Sequence, residues 1–360
     1  MTEKEKLILS AIRQNPLISQ KELGQQSGMS REAVAHHIMN LTRKGFIRGK
    51  GYLLNNPLEV LVIGGCNLDI QGIPLQHGQA GDSLPGTVTM TPGGVGRNIA
   101  ENLARLGHQV RLISAVGEDD AGKQLIQATR SAGVDTSSIK AFSGFRSPVY
   151  LSVLDPEHEL LQAINDMSVT EQMTPEFLAG CTPDLHLSQA LIIDTNLSEA
   201  TLTYLFQRQD LPPVFADCVS AAKAERLKPW LHRIHTLKPN RMEASLLWGQ
   251  EIQSEADLPA CANWFHEQGI SQLFISLGEE GLYASRSDEQ VLLPPEQITV
   301  ASVAGAGDAL MAGLVHSWIN HQPLVNTARI AQACACLALE HHGTNNPALS
   351  AETIEQRINA

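Results

Sequence analysis

Gly305-Ala306-Gly307-Asp308-Ala309 leads directly into an apolar helical run carrying Leu310, Met311, Gly313, Leu314 and Trp318. Glycines at a helix start let backbone N–H groups approach an anion, and the positive end of the helix dipole favours negative charge there. An aspartate in the first turn can accept a proton from an alcohol beside that anion. It can equally be a dipole-stabilising residue in a tight loop, and the spacing permits both. Pro92-Gly93-Gly94-Val95-Gly96-Arg97-Asn98-Ile99-Ala100 is a second glycine loop entering a helix. It lets a polar substrate touch the backbone, or serves as a packing turn. It is not G-x-G-x-x-G, and the chain has no G-x-x-x-x-G-K-[ST], which argues against a P-loop NTPase.

Outward from these loops, short apolar runs alternate with helical stretches. Val60–Ile63, Val110–Ser114, Ala190–Ile193, Val214–Ala216, Ile234–Leu237 and Leu273–Ser276 read as strands. Helical spacing fits 95–106, 121–132, 198–208, 220–230, 255–268, 306–320, 323–341 and 350–358. Strands separated by helices predict an α/β fold with a mostly parallel sheet covered on both faces. Two excursions interrupt the alternation. Residues 68–92 are rich in Gly and Pro but carry alternating Val88-Thr89-Met90, and 147–164 read as a hairpin. Both suit a small β lid over a site near the strand ends.

Three further motifs each allow two readings. Asn67-Leu68-Asp69 follows the first strand, where the carboxylate can grip a diol or close the strand in an Asx-turn. Asn240-x-x-Glu243 follows Leu237-Lys238-Pro239 and is either a helix capping box or a pair facing a phosphate and its Mg²⁺ water shell. Leu277-Gly278-Glu279-Glu280-Gly281 is a turn or a nucleotide-contacting loop.

Taken in order, N-x-D, G-G-x-x-x-N, N-x-x-E, L-G-x-x-G and G-A-G-D resemble the ribokinase-like (PfkB) carbohydrate kinase family from about Val60 to the C-terminus. Val116-Gly117-Glu118-Asp119-Asp120-Ala121-Gly122 and Gly133-Val134-Asp135-Thr136 add to the match. The resemblance implies a ribokinase-like fold with Asp308 as general base and Gly305, Ala306 and Gly307 as the anion hole. It implies that Asn67, Asp69, Gly93, Gly94, Asn98 and Asp166 hold the substrate. Asn240, Glu243, Ser276, Gly278 and Gly281 are implied to serve ATP, with Mg²⁺ held through phosphates and water near Asn240 and Glu243. Such roles suit phosphoryl transfer, where catalysis is mainly positioning and charge stabilisation. One stretch departs from the family. Its usual D-T-x-G-A-G-D reads Ser302-Val303-Ala304-Gly305-Ala306-Gly307-Asp308 here, which puts the family's monovalent-cation site in question but keeps the base and its glycines.

Within that family, Val60-Leu61-Val62-Ile63-Gly64-Gly65, Gln162-Ala163-Ile164-Asn165-Asp166-Met167, Leu191–Leu197 and Val214–Asp217 look like stretches of bacterial pseudouridine kinases. Those enzymes phosphorylate the ribose 5′-hydroxyl of pseudouridine with ATP and Mg²⁺. The resemblance therefore implies a nucleoside kinase, and a homodimer is expected. The alternatives are a kinase for another nucleoside or a furanose sugar, and a ligand-sensing regulator built on a kinase fold. Asp308 among its glycines favours an enzyme, since a sensor needs no base.

The first 56 residues differ from the rest. Residues 3–14 form an amphipathic helix with Leu7, Ile8, Ala11 and Ile12 on one face. Ser19 with Glu22 makes a capping box for a helix over Lys21–Gln26, and Ser30 caps a third helix over Arg31–Lys44 after the Ser27-Gly28 turn. Phe46–Leu54 reads as two strands about a basic glycine turn. The pattern resembles winged helix-turn-helix DNA-binding domains. That implies base or phosphate contacts from Arg31, His36, His37 and Asn40, and backbone contacts from Arg48 and Lys50. A protein-interaction module is the other reading. Asn55-Asn56-Pro57 marks the boundary between a head, 1–56, and a kinase body, 57–360.

Charge follows that boundary. The head holds nine Lys/Arg and four Asp/Glu, a net of +5, leaving 17 basic and 34 acidic residues, −17, in the body. A basic head on an acidic body points to two functions with different partners. The six cysteines are scattered without a C-x-x-C, so buried thiols rather than disulfides or zinc are expected. Met-Thr-Glu-Lys-Glu-Lys lacks a signal-peptide core, and charges, prolines or glycines interrupt every apolar run. A cytoplasmic protein without a membrane span is expected.

Overall fold

In the computed structural model, which describes residues 1–48, 59–78, 81, 83–182 and 185–359, the chain divides into two units. One comprises Met1–Leu58 with His186–Ser188, the other Glu59–Leu185 with Gln189–Ala360. In the first, helices α1 (Glu3–Gln14), α2 (Gln20–Ser27) and α3 (Arg31–Arg43) each begin at a side-chain cap: Thr2, Ser19 and Ser30. The Ser19–Glu22 capping box is formed in both directions, and Gly28, at φ 65°, ends α2. Ile8, Ile12, Ile18, Leu23, Val34, Leu41 and Ile47 make its core. The expected wing from Gly49 onward, with Lys50, and the Asn55-Asn56-Pro57 boundary lie outside the described residues.

The second unit carries strands β1 (Val60–Ile63), β2 (Asn67–Pro74), β3 (Gly86–Gly93), β4 (Val110–Gly117), β5 (Asp135–Phe142), β6 (Val149–Leu154) and β7 (Leu160–Asp166). They continue with β8 (Ala190–Asp194), β9 (Val214–Asp217), β10 (Thr236–Lys238), β11 (Gln272–Ser276), β12 (Leu282–Arg286) and β13 (Glu289–Leu293). Its helices are α4 (Val95–Arg105), α5 (Asp120–Ser131), α6 (Pro175–Cys181), α7 (Glu199–Gln207) and α8 (Ala221–Ala224). After these come α9 (Arg241–Trp248), α10 (Leu258–Glu267), α11 (Ala306–Ile319), α12 (Leu324–Leu339) and α13 (Ala351–Ile358).

Among the described residues, nine strands form one sheet in the order β13-β12-β11-β10-β9-β8-β1-β4-β5. From β11 to β5 every pairing is parallel, and β12 and β13 add an antiparallel edge. The central strands are unbroken apolar runs because helices cover both faces. Helices α4, α11 and α12 pack on one face, where Ile99, Leu103, Leu310, Leu314 and Ala331 meet Val60, Leu112, Ile192 and Phe215. A fully buried Phe or Leu side chain contributes roughly 1.5–3 kcal/mol.

Departures from the expected elements have local causes. The helix expected over 220–230 stops at Ala224 and continues as a 3₁₀ segment to Arg233, because Pro229 has no N–H to donate. Strand β5 lies at the sheet edge, so its polar Ser137, Ser138 and Lys140 concealed it. Strands β12 and β13 and helices α6 and α9 were not expected as elements either.

The two excursions form a separate four-stranded sheet, ordered β3-β2-β6-β7. Cross-strand partners share a face, so the register divides this lid into two surfaces. One row runs Thr91–Asp69–Tyr150–Asn165 and the next but one Thr89–Gln71–Ser152–Ala163, giving a largely polar face. The opposite face carries Met90–Ile70–Leu151–Ile164 and Val88–Gly72–Val153–Gln162. Met90 and Ile164 on it are 62% and 57% exposed.

Candidate active site

Parallel strands end together, and three neighbouring ones end on a charge. Asp194 closes β8, Asp217 closes β9 and Lys238 closes β10, in register as one row. All three are buried. Asp194 accepts hydrogen bonds from the backbone N–H groups of Gly65 (2.7 Å), Gly96 (2.9 Å) and Asn196 (2.9 Å). Asp217 forms an ion pair with Lys238 Nζ at 3.0 Å and accepts the Val219 N–H at 2.8 Å.

Asp308 faces this row from the first turn of α11. Gly305 caps that helix at φ 80°, and a Cβ there would strike the Thr344 carbonyl, so only glycine makes this turn. Burial, seconded by the negative charge of Asp217, pushes the Asp308 carboxyl up to about 7. A hydrogen bond from Asn98 and the charge of Lys238 work the other way. Asn98 Nδ2 donates to Asp308 Oδ2 at 2.8 Å. Its orientation is set from behind: an Arg97 N–H donates to Asn98 Oδ1 at 3.1 Å and to Asn345 Oδ1 at 2.9 Å, while Asn345 donates to the Asn98 carbonyl at 3.0 Å. Arg97 itself is ion-paired with Glu101. The arrangement places a carboxyl near neutrality in the first turn of α11, where a helix's leading N–H groups lack intrahelical acceptors, a combination that suits proton removal next to an anion.

Asn67 and Asp69 stand on β2 rather than in a turn closing β1. Burial pushes Asp69 up to about 6, against the Asn67 side chain, which donates to it, and against Arg97. Gly93 pairs with Asn67 across the lid, and a Cβ on it would occupy the space of the Asp69 carboxylate. The structure thus brings together Asn67, Asp69, Gly93, Gly94, Asn98 and Asp308. Asp166 falls elsewhere. It shares a row with Leu68 and Val149, on the opposite lid face from Asp69, is exposed, and accepts the Ser168 N–H. Asn165 occupies the position in Asp69's row.

Asn240 and Glu243 do form a capping box, at 2.8 and 2.9 Å, at the start of α9. The capping box uses Asn240 Oδ1 and Glu243 Oε2, not Asn240 Nδ2 and Glu243 Oε1. Ser276 pairs with Asn240, and Arg241 reaches Glu280 between Gly278 and Gly281 at 2.6 Å, so these two loops are neighbours. Ser302 Oγ accepts the Ala304 N–H before α11. Asp194, Asp217 and Lys238 were missed as site residues. Their signal was legible: each is a charge ending an apolar strand run.

On the head, Arg31, His36 and Arg48 are exposed. His37 is not, because Val34, His37, Ile38 and Leu41 follow the 3–4 spacing of the face turned to the core. Its buried Nδ1 has no partner among the described residues. Asn40 is half-buried and hydrogen-bonded to His36 at 3.0 Å.

Fold and site define a phosphotransferase of the ribokinase type, and residues 58–351 match the pfkB family carbohydrate kinase model. The chain belongs to the pfkB family of carbohydrate kinases. Residues 1–48 match the winged helix-turn-helix DNA-binding model. The chain is 42% identical over 353 residues to the uncharacterized sugar kinase YeiI of Escherichia coli (strain K12), covering 98% of both chains. It is 41% identical over 292 residues to the pseudouridine kinase of the same organism, covering 81% of this chain and 93% of that one. Among solved structures, a carbohydrate kinase from Agrobacterium tumefaciens is 31% identical with a TM-score of 0.73, over 83% of this chain and 96% of that one. The Arabidopsis thaliana ribokinase complexed with ribose and ATP shares the fold, with a TM-score of 0.74 at 18% identity over 84% and 98% of the two chains. Among the described residues no helix is long and apolar enough to cross a membrane.

If Asp308 is the base that the sequence resemblance implies, turnover is pH-dependent in a stated direction: the base acts ionised, so kcat should fall as pH drops through about 7. Asn98→Ala removes a donor that favours the ionised form, so the acidic limb of its kcat profile should move to higher pH. A limb that stays put assigns the ionisation to another group.

Proposed function

We propose that the kinase unit transfers the γ-phosphoryl group of ATP, with Mg²⁺, to the ribose 5′-hydroxyl of a nucleoside, pseudouridine. The observation that carries this reading is the buried Asp308–Asn98 pair at the glycine start of α11, in a chain 41% identical to a pseudouridine kinase. Asp308 takes the proton of the attacking hydroxyl. The N–H groups around Gly305, Ala306 and Gly307, with the helix dipole, hold the negative charge of the group in transfer. Asp69 accepts hydrogen bonds from the ribose diol beside Asn67, and Gly93, Gly94 and Asn98 complete its seat. ATP lies along Ser276, Gly278 and Gly281. A bound Mg²⁺ would neutralise phosphate charge. Glu243 Oε1 would accept from its coordinated water and Asn240 Nδ2 would donate to a phosphate oxygen, a fit consistent with the capping box using Asn240 Oδ1 and Glu243 Oε2.

The 42% identity to a sugar kinase favours a second reading, phosphorylation of another nucleoside or a furanose sugar on the same residues. The head, residues 1–56, binds duplex DNA in our reading, with Arg31 and His36 on the exposed side of α3 and Arg48 beyond it. The kinase unit forms a homodimer through the uncovered apolar lid face. A second copy offers the same apolar rows, so the match is self-complementary.

A panel of nucleosides and sugars with Mg-ATP, read as ADP release, tests the substrate. Pseudouridine should have the highest kcat/KM, and Asp308→Asn should lower kcat by ~10²–10⁴ with little change in substrate binding. Hydrogen bonds to a charged acceptor contribute ~1.5–3 kcal/mol each, so 2′-deoxy substrates should be poor, and Asp69→Ala should erase the ribo/deoxy difference. Equal kcat/KM for the two forms in the wild type removes Asp69 from the diol. Met90→Lys with Ile164→Lys should convert a dimer to a monomer in sedimentation analysis; a wild-type monomer ends the lid-pairing reading. DNA affinity should fall steeply with salt, and Arg31→Ala with Arg48→Ala should reduce the slope by up to ~2. Full-length protein that binds no duplex at low salt, with or without nucleoside, assigns the head to protein interaction instead.

A further inference from the structure

Lys238 has no part in the mechanism above, yet it is one of the most constrained charges in the chain. It ends β10, is 6% exposed, and pairs with Asp217 at 3.0 Å. Among the described residues its ion-pair partner is Asp217, which leaves at least two of the three ammonium N–H donors uncommitted. Its Nζ lies 3.2 Å from where a Cβ on Gly307 would stand, so it faces the first turn of α11. An ammonium there looks onto the positive end of a helix. Two positive features turned toward one space suit an anion in that space.

The neighbouring charges sharpen the point. Burial opposes the ionised ammonium, but Asp217, then Glu243 and Asp308, outweigh it and hold the Lys238 pKa above the ordinary lysine value. Asp194, Asp217 and Asp308 face the same end of the sheet. Without a fixed cation, only the partial positive charge of the α11 N-terminus would offset these carboxylates for an incoming phosphoryl group.

On the kinase reading of this site, we propose that Lys238 is a catalytic residue whose Nζ contacts the outer oxygens of the phosphoryl group in transit, held on target by Asp217. The hydroxyl proton passes to Asp308, and the hydroxyl oxygen forms the new bond to the γ-phosphorus. The bond from that phosphorus to its bridging oxygen breaks, and the electron pair leaves on ADP. Lys238 keeps all its protons throughout and supplies only charge and donors. The proposal deepens the kinase reading and is independent of which nucleoside or sugar is the acceptor.

The test compares wild type, Lys238→Met, Lys238→Arg and the Lys238→Met/Asp217→Asn double variant, all in the full chain. The double variant removes the charge without leaving Asp217 unpaired, so it keeps the test valid should Lys238→Met misfold. Calorimetry measures Mg-ADP binding with and without aluminium fluoride, which mimics the planar phosphoryl group, using the acceptor that the wild type turns over fastest, or the nucleoside panel where it turns over none. Both Met-containing variants should bind Mg-ADP as the wild type does but lose ~10²-fold of the tightening by fluoride and a similar factor in kcat. Lys238→Arg should recover part of both. Full fluoride tightening and turnover in either Met-containing variant that folds overturns the role of Lys238 and leaves the kinase reading intact. Loss of Mg-ADP binding in the double variant overturns it too, in favour of a structural role. A wild type showing neither tightening nor turnover overturns the kinase reading itself, and the lysine assignment with it.

Discussion

The carboxylate of Asp194 accepts three backbone N–H groups, from two loops and the first turn of α4, and the placement of Asn67, Asp69 and Asn98 follows from that junction. The Gly65 N–H fixes the exit of β1, which leads within a few residues to Asn67 and Asp69. The Gly96 N–H fixes the start of α4, which carries Arg97 and Asn98. At this junction a Cβ on Gly96 would lie 2.7 Å from the Gly64 Cα, so strand exit and helix start meet through backbone alone. Burial pushes the Asp194 carboxyl above its ordinary pKa, and the backbone donors, Gly65 first, act against this. Buried charged acceptors are tolerable when backbone donors saturate them in this way.

A cluster of so many buried carboxylates requires compensation, and the fold supplies it in layers. The N-terminus of α11 contributes its dipole, Lys238 a full charge, and Arg97 a second one behind Asn98. The same burial that makes these charges costly raises Asp308 toward neutrality, where a base is effective. Asp69, also raised by burial, is placed by the lid, whose register separates a polar face from an apolar one. One strand thereby carries Asp69 on one side and an apolar surface on the other.

Most of the body's framework was legible in the chain itself. Apolar runs such as Val60–Ile63 and Ala190–Asp194 announce buried parallel strands, and the run after Gly305 announces α11, because hydrophobic periodicity reports local structure directly. The capping boxes at Ser19 and Asn240 were equally visible, since a cap and its partner lie three residues apart. Edge elements were not: β5 and β13 bury too little to carry a clear pattern. His36 and His37 differ in exposure because neighbours on a helix point to different faces, and only packing decides which is the more covered.

What the sequence determined by itself was the order of glycine loops, strands and helices, and with it the family, because those signals are local. Tertiary structure alone decided that Asp194, Asp217 and Lys238 form one row, that Arg97 orients Asn98 toward Asp308, and that Asn165 rather than Asp166 shares the row of Asp69. Strand register and helix docking bring together residues as far apart as Asn98 and Asp308, and no spacing along the chain encodes the distance between them.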